Sequence, residues 1–349
     1  MARRSGMLLG HDLSTVLQCE KNGGHYYDFD SPNPKAPELI VAEHGANLVR
    51  LRLWVNPPAG YSDLPSVLRF AKRAKQANLK VLVCLHLSDS WADPGEQTTP
   101  AAWSGLDFDA LSITLNNYVG DVIDALQAQG TPPFMVAVGN EISNGVLWPV
   151  GSLSNTQNFT GLLKSGLAAV KSRGIFSMIH INNGQDQGLV TWFMDLMQAN
   201  QVIFDFLGLS FYPPPEDGGA SLSALQASLA VVAPRYGMPI VVVETADDWT
   251  PPSESPTTQA SALSNLLQVV SSVPGNLGAG VVYWESAWLL VGEAYPGEGN
   301  HFWKRSLWDQ QSQPLPALKC YEPYGKNLVQ QPQGGGGTQD SFQSHADEL

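Results

Sequence analysis

The chain has 349 residues, and its 19 Lys and Arg against 32 Asp and Glu give a formal net charge of −13. This acidity argues against nucleic acids and anionic membrane surfaces as partners, because their phosphates would be repelled. With 43% hydrophobic and 15% charged residues, the chain can bury a large core. It has no run of about 18 apolar residues that could span a bilayer. The length suits either two ordinary domains or one large α/β barrel.

Short apolar runs alternate with longer amphipathic segments along most of the chain, which is typical of β-α units around a parallel sheet. Residues 64–77 are typical of the predicted helices, because apolar residues recur there at spacings of three and four. The predicted strands cover residues 7–11, 47–54, 80–86, 133–140, 176–181, 204–211, 239–244 and 278–284. Eight such units predict an α/β protein with a single (β/α)8 TIM barrel over residues 1–329. An open, doubly wound sheet is the alternative.

The two ends of the chain bear on its location. Residues 330–349 are rich in Gln, Pro and Gly, so we expect a flexible tail outside the fold. Its last four residues, Ala-Asp-Glu-Leu, are similar to a retention signal of the endoplasmic reticulum. The first residues carry positive charge, but the apolar stretch that follows is too short for a signal peptide. We expect a secreted protein whose signal is absent from this chain, with the endoplasmic reticulum or the cell interior as alternatives.

The three cysteines, Cys19, Cys84 and Cys320, cannot all pair with one another. Their spacing does not match a thiolate metal site, so a fold without disulfides is expected, with Cys84 buried in the third strand. A Cys19–Cys320 bridge is the alternative in an oxidising compartment, because the two ends of a closed barrel lie close together.

Each predicted strand ends on polar or aromatic residues, and in a TIM barrel these ends share the rim that carries the catalytic groups. The strand ends read His11-Asp12, Arg50-Leu51-Arg52-Leu53-Trp54, His86-Leu87-Ser88-Asp89-Ser90-Trp91, Gly139-Asn140-Glu141, His180-Ile181-Asn182-Asn183, Ser210-Phe211-Tyr212, Glu244 and Tyr283-Trp284-Glu285. Carboxylates and amides bind hydroxyl groups, and aromatic rings stack on the C–H face of a pyranose. The pattern therefore favours a neutral sugar as substrate.

Glu141 and Glu244 end the fourth and seventh predicted strands, so a closed sheet can aim both at one point. Two neighbouring carboxylates are the machinery of glycoside hydrolysis, in which one protonates the leaving oxygen and the other attacks the anomeric carbon. A structural salt bridge is the alternative role for either side chain.

These residues resemble glycoside hydrolase family 53, the arabinogalactan endo-β-1,4-galactanases, over residues 8–310. The most specific motifs are Trp91-Ala92-Asp93-Pro94-Gly95 and Gly139-Asn140-Glu141-Ile142, followed by Ser210-Phe211-Tyr212-Pro213, Val243-Glu244-Thr245 and Tyr283-Trp284-Glu285. The resemblance implies a retaining double displacement on galactan by a protein that we expect to be monomeric. In that mechanism Glu141 is the acid and base, and Glu244 is the nucleophile.

The resemblance also implies roles for residues around this pair. Asn140 would bind the sugar 2-hydroxyl, and Arg52 and Tyr212 would hold Glu244, although the residues alone leave open whether Arg50 or Arg52 reaches it. The further substrate-binding residues implied are His86, Asp89, Trp91, Asn182 and Trp284. Among these, Asn182 stands where the family often has Asp.

No cofactor is expected to be required, although calcium is considered as a structural ion. The family ties the loops after strands seven and eight by a disulfide or by calcium, and here the candidate ligands are Glu293, Glu298 and Asn300. Three alternative functions stay open at this point: another β-glycanase of the clan, such as a mannanase or glucanase, a catalytically silent glycan-binding barrel, and a zinc enzyme using His86, His180 and a Glu.

Overall fold

The computed structural model describes residues 6–58, 60–214, 217–248, 255–292 and 301–325. Within these residues, eight parallel strands close into one barrel in chain order. The strands are β1 (Leu8–Asp12), β2 (Leu48–Leu53), β3 (Lys80–Leu85), β4 (Met135–Val138), β5 (Phe176–Ile181), β6 (Phe206–Ser210), β7 (Ile240–Thr245) and β8 (Gly278–Tyr283). Because β1 pairs with both β2 and β8, the predicted (β/α)8 barrel is confirmed and the open sheet is wrong.

Among the described residues, eight α-helices lie between the strands and surround the barrel, and a ninth follows β8. They are α1 (Val16–Lys21), α2 (Pro37–Glu43), α3 (Leu64–Gln76), α4 (Phe108–Ala128), α5 (Thr156–Lys171), α6 (Gln187–Ala199), α7 (Ala220–Tyr236), α8 (Pro256–Ser271) and α9 (Glu322–Gly325). In α3, the Asp63 side chain accepts a hydrogen bond from the Ser66 N–H at 2.9 Å and so caps the first turn. The same helix buries Val67, Phe70 and Ala74, as its apolar spacing predicts.

The alternation of side chains along each strand produces two cores. Side chains that point into the barrel include Leu48, Leu82, Met135, Met178 and Phe206, and they fill its interior. Those pointing outward pack against the helices in the larger core. Because the barrel interior is closely packed below the rim, the polar side chains at the strand ends are supported by a rigid layer of apolar side chains.

All three cysteines are free, as expected for a fold without disulfides. Cys84 is fully buried inside the barrel. Cys19 and Cys320 are not bridged: the Cys19 Sγ accepts a hydrogen bond from the Leu289 N–H at 3.4 Å, whereas the Ser264 hydroxyl donates to the Cys320 Sγ at 3.3 Å.

Within the described part of the chain, no helix combines the length and the apolar character needed to cross a bilayer. The predicted domain boundary at residue 330 and the tail beyond it lie outside the described residues. So do the candidate calcium ligands Glu293, Glu298 and Asn300, and both features stay predictions.

Candidate active site

The side chains of Glu141 and Glu244 meet above the packed interior, at the carboxyl ends of the strands. A carboxylate oxygen of each, together with a ring nitrogen of His180, lies within 4.8 Å of the others. In retaining glycosidases the two carboxyl groups are about 5 to 5.5 Å apart, whereas in inverting enzymes the gap is about 6.5 to 9.5 Å. The convergence predicted from the strand ends is present, and the nearest oxygens of the pair lie closer together than the inverting gap.

A tight turn after β4 places Glu141. Gly139 has a φ of 93°, and a Cβ added there would lie 2.4 Å from the Ile142 Cγ2, so only glycine fits. Glu141 itself has a φ of 50°, which is uncommon for a residue with a side chain. The buried Gln97 Nε2 donates to the Asn140 carbonyl at 2.8 Å and holds the turn from the β3 loop. The strained backbone is therefore fixed by neighbouring elements rather than by β4 alone.

A β-bulge in β7 turns Glu244 into the barrel. Val242 packs in the outer core, and strict alternation would point Glu244 outward with it. The pairing register shifts between Leu209 and Ser210 of β6, so that Ser210 lies opposite Glu244. A bulge adds one residue to a strand and re-aims the next side chain, which here brings the carboxylate to the active-site rim.

Arg50 is the arginine that holds Glu244. Its Nη2 donates to the Glu244 Oε1 at 2.5 Å and to the Asn140 Oδ1 at 2.8 Å, and its Nη1 pairs with Asp12. The Tyr212 hydroxyl donates to the other Glu244 oxygen at 2.9 Å, as the resemblance implied. These donors fix the orientation of the carboxylate and favour its ionised form.

Of the two arginines that the sequence left open, Arg50 is therefore the one that hydrogen-bonds Glu244, while the positive charge of Arg52 also acts to lower the pKa of that carboxyl, as the resemblance implied. Arg52 instead donates to the Glu285 Oε1 at 2.8 Å and lies 4.1 Å from the ring centre of Trp91. The two arginines share one face of β2, but Arg52 is two residues nearer the rim. Glu244 lies within β7, whereas Glu285 lies two residues beyond the end of β8, so the deeper arginine meets the deeper carboxylate.

The two carboxylates differ in the electrostatic environment that determines their pKa values. Burial raises the pKa of Glu141 to about 7, and the negative charge of Glu244 adds to the increase. Burial also raises the pKa of Glu244, but Arg50 and the Tyr212 hydroxyl oppose that increase. Glu141 therefore suits the role of proton donor, and Glu244 suits the role of ionised nucleophile.

His180, which sequence alone could not distinguish from a core histidine, belongs to the network around the pair. It is fully buried, its Nδ1 lies 3.1 Å from the Asn140 Oδ1, and its Nε2 lies 2.8 Å from the Ser210 Oγ. Burial keeps the pKa of His180 well below its usual range, so the ring is neutral. The Ser210-Phe211-Tyr212 motif was noted in the sequence, but no role was predicted for Ser210.

A cluster of aromatic rings lies beside Glu244, where Tyr212 contacts both the carboxylate and Trp284. The ring of Trp284 lies 6.3 Å from Trp91, 6.4 Å from Tyr212 and 5.0 Å from Phe302, measured between ring centres. The Arg305 guanidinium carbon lies 5.0 to 5.2 Å from the ring centres of Tyr212, Trp284 and Phe302. Apolar ring faces of this kind stack on sugars. Phe302 and Arg305 were missed because they follow β8 in a segment without strand or helix periodicity.

The remaining predicted binding residues lie on the same rim. His86 is buried, its Nδ1 accepts the Ala92 N–H at 3.2 Å, and its ring centre lies 6.2 Å from that of Trp91. The Asn182 side-chain oxygen accepts a hydrogen bond from the Ser143 hydroxyl.

Asp89 has a different environment from the other predicted binding residues. Its two carboxylate oxygens accept the backbone N–H groups of Asn56 at 3.0 Å and of Ala101 at 2.9 Å. This arrangement ties two loops of the rim together. Its predicted contact with substrate stays a prediction.

Glu141, His180 and Glu244 are also the group that, among the described residues, has the spacing to hold a metal ion. The zinc alternative expected His86 in such a set, and His86 is not part of it. Both His180 nitrogens are already within hydrogen-bond distance of protein oxygens, at 3.1 and 2.8 Å, so a metal would have to displace one of them. The donor set therefore fits a hydrogen-bonded network better than a metal centre.

Comparison with known proteins agrees with this geometry. The model of the family "Glycosyl hydrolase family 53" matches residues 8–321. A probable arabinogalactan endo-β-1,4-galactanase A of Aspergillus terreus is 39% identical over 303 residues, which cover 80% of this chain and 85% of that protein. An arabinogalactan endo-β-1,4-galactanase of Thermothelomyces thermophilus is 37% identical over 336 residues, covering 90% of this chain and 98% of that one. A solved fungal β-1,4-galactanase is 36% identical with a TM-score of 0.80, over 91% of this chain and 99% of that structure. The resemblance carried by the motifs is confirmed, and the chain belongs to glycosyl hydrolase family 53.

Proposed function

We propose that this protein is a retaining endo-β-1,4-galactanase that hydrolyses the β-1,4-galactosidic bonds of galactan and type I arabinogalactan. The observation that carries the proposal is the Glu141–Glu244 pair, whose oxygens lie within 4.8 Å in unlike environments. Family membership and the galactanase names of the relatives support the choice of substrate.

In the first step, an oxygen of the ionised Glu244 attacks the anomeric carbon of the sugar that precedes the scissile bond. The bond from that carbon to the leaving oxygen breaks, and Glu141 gives its proton to this oxygen. A covalent galactosyl ester on Glu244 remains. Arg50 and Tyr212 orient the attacking carboxylate, since one contacts each of its oxygens.

In the second step, Glu141 removes a proton from water, and the water oxygen attacks the anomeric carbon. The ester bond breaks and returns Glu244 to its ionised form with net retention of configuration. The exchange of roles has an electrostatic cause: the ester has no negative charge, so one of the groups that raised the pKa of Glu141 is lost when Glu141 must act as a base.

No cofactor is needed for these steps, because both proton transfer and nucleophilic attack come from side chains. We therefore expect activity to survive dialysis against EDTA, and loss that is restored by calcium would show a required ion. Thermal unfolding with and without EDTA separates a structural calcium site near residues 293–300 from a catalytic one.

Product analysis tests the proposed substrate. The purified protein is incubated with unbranched galactan, and in parallel with mannan and β-glucan, beside the Glu244→Gln variant. Galacto-oligosaccharides from the wild type alone support the proposal. Products from mannan or β-glucan instead would keep the mechanism but show that the protein is one of the other β-glycanases. If the protein binds a glycan without cleaving it, and Glu244→Gln does not change that binding, a catalytically silent barrel is favoured.

We also propose that the protein acts as a monomer outside the cell. Hydrolysis of a polymer that cannot enter a cell favours an extracellular enzyme. Light scattering of the purified protein tests the first proposal, and activity in culture medium against cell extract tests the second. A dimer, or activity confined to the extract, would contradict them.

A further inference from the structure

Glu285 is a buried carboxylate that the proposed mechanism does not use. It ends the Tyr283-Trp284-Glu285 motif, lies two residues beyond the end of β8 and is only 1% exposed. Its φ of 48° is uncommon for a residue with a side chain, as is the φ of Glu141. Backbone strain of this kind clusters at functional sites, which points to a role for Glu285 beyond packing.

Both oxygens of Glu285 accept hydrogen bonds from residues near the ends of other strands. Its Oε1 accepts from the Arg52 Nη1 at 2.8 Å, and its Oε2 accepts from the hydroxyl of Thr15, which precedes α1. The side chains of both donors are buried. Burial raises the pKa of Glu285 to about 7, but the charged and the neutral carboxyl group both keep an oxygen that accepts from arginine. Arg52 is therefore held on either side of that pH.

Arg52 in turn packs on Trp91, in the loop after β3. The Arg52 guanidinium carbon lies 4.1 Å from the ring centre of Trp91 and 5.3 Å from that of Trp54. The two indole rings meet edge to face, with their centres 5.2 Å apart. A guanidinium group over an indole ring is attracted by the electrons of that ring. Arg52 and Trp54 together therefore fix the orientation of the Trp91 ring.

Trp91 is half-buried, whereas the side chains that hold it are buried. Its ring centre lies 6.3 Å from that of Trp284, so its exposed part adjoins the aromatic cluster beside Glu244. A ring that is already held in one orientation loses less entropy when a ligand binds. A buried ion pair is weak evidence for stability, because apolar side chains of similar volume are often equally stabilising. The arrangement therefore fits a role in substrate binding better than a role in folding.

We propose that Glu285 is a positioning residue that holds Arg52 against Trp91 and so keeps the Trp91 ring oriented to bind a sugar unit of the substrate. The inference rests on the proposed function, in which a galactan chain contacts the aromatic rings beside Glu244. Glu244 keeps its own donors, Arg50 and Tyr212. Loss of Glu285 should therefore weaken substrate binding and leave the chemical step unchanged.

Steady-state kinetics on galactan test the proposal with two variants at one position. Glu285→Met has a side chain of similar length without an accepting oxygen, so it should raise KM about fivefold with kcat within about twofold of the native value. Glu285→Gln keeps an oxygen that can accept from Arg52, and it should restore most of the native KM. An unchanged KM in Glu285→Met, equal KM values in the two variants, or a fall in kcat alone would overturn the proposal.

Glu38→Met is the matched control. Glu38 is also buried, and it accepts hydrogen bonds from Arg73 at 2.8 and 2.7 Å. The Arg73 guanidinium carbon lies 4.9 Å from the ring centre of Phe70. This group of the same three residue types joins α2 to α3 on the outside of the barrel, so its loss should leave KM unchanged. A similar rise of KM in Glu38→Met and Glu285→Met would show a general loosening of the fold and overturn the proposal.

A double-mutant cycle tests whether Glu285 acts through Trp91. Trp91→Ala alone should raise KM. Adding Glu285→Met to it should raise KM little further, because the ring that Glu285 helps to hold is gone. Two effects that multiply in the double variant would show that Glu285 acts by another route, and would overturn the proposal.

Arginine NMR provides a readout that needs neither substrate nor a variant at position 285. The guanidinium signals of Arg52 are assigned by their loss in Arg52→Lys. In the native protein we expect separate signals for the Nη hydrogens, because the hydrogen bond to Glu285 hinders rotation, and an upfield shift from the Trp91 ring that disappears in Trp91→Ala. A single averaged signal in the native protein would overturn the proposal whether or not galactan is cleaved. Failure to cleave galactan with these signals present would instead contradict the proposed function.

Discussion

Replacing Glu141 by glutamine should stabilise the folded protein at alkaline pH. At that pH the native side chain is ionised, although its buried environment disfavours the charged form. The pKa of Glu141 is raised from 4.5 to about 7 by burial and by Glu244, so the folded state binds this proton more tightly than the unfolded state. The free energy of unfolding that this proton contributes is fully present below about pH 4.5 and is lost as the pH rises through about 7. Glutamine has nearly the same shape and is neutral at every pH.

The magnitude follows from the difference between the two pKa values. At 1.36 kcal/mol for each pH unit, a change from 4.5 to about 7 is worth at most about 3 kcal/mol of unfolding free energy. Since the side chain is only partly buried, some of this difference will be screened by water. We therefore expect Glu141→Gln to exceed the native stability by about 1 to 3 kcal/mol at about pH 8.5, and to equal it at about pH 4.

Urea unfolding of native protein and variant at these two pH values measures the difference. Glu96→Gln is the control, because Glu96 lies exposed in the loop after β3 and should give the same small difference at both pH values. An equal effect of Glu141→Gln at acid and alkaline pH would refute the electrostatic account. So would a variant that is less stable at alkaline pH.

Three further predictions concern activity. The pH profile of kcat/KM should be bell-shaped, falling above about pH 7 as Glu141 loses its proton and falling in acid as Glu244 gains one; a steady rise into alkaline pH would contradict the assignments. Glu141→Ala should lose most activity on galactan but retain the first step on aryl galactosides with good leaving groups, which need little protonation; equal losses on both substrates would show that Glu141 is not the acid. Arg305→Gln should raise KM for galactan about fivefold with little change in kcat, because about 1 kcal/mol of cation–π packing on Trp284 is lost. Arg235→Gln, on the outer surface of α7 where Arg235 pairs with Asp195, is its matched control, and similar KM values for both variants would refute a role for Arg305 at the cleft.

The barrel could be predicted because its strands are short apolar runs with polar ends. β5 lies where the sequence placed it, at Phe176–Ile181. The prediction of 133–140 for β4 overran the observed Met135–Val138, since Gly139 begins the tight turn that presents Glu141. Apolar character indicates where a strand exists, but the turn geometry determines where it ends.

The sequence predicted which residue types form the site better than it predicted which of them contact one another. Alternation along β2 places Arg50 and Arg52 on one face, but their depth relative to Glu244 depends on how the strands are staggered around the barrel. Alternation along β7 would have pointed Glu244 outward, and the bulge that corrects this has no sequence signature. Phe302 contacts Trp284 from a segment 18 residues farther along the chain, where no pattern predicts its position.

The most direct test of the mechanism is to trap the covalent intermediate. The native protein is incubated with an activated aryl 2-fluoro-galactobioside, whose glycosyl ester hydrolyses slowly, and the labelled peptide is identified by mass spectrometry. The account predicts one glycosyl group per chain on Glu244, and no label in Glu244→Gln. A label on another residue, or a first product of inverted configuration with no label at all, would contradict the proposal that Glu244 is the nucleophile of a retaining galactanase.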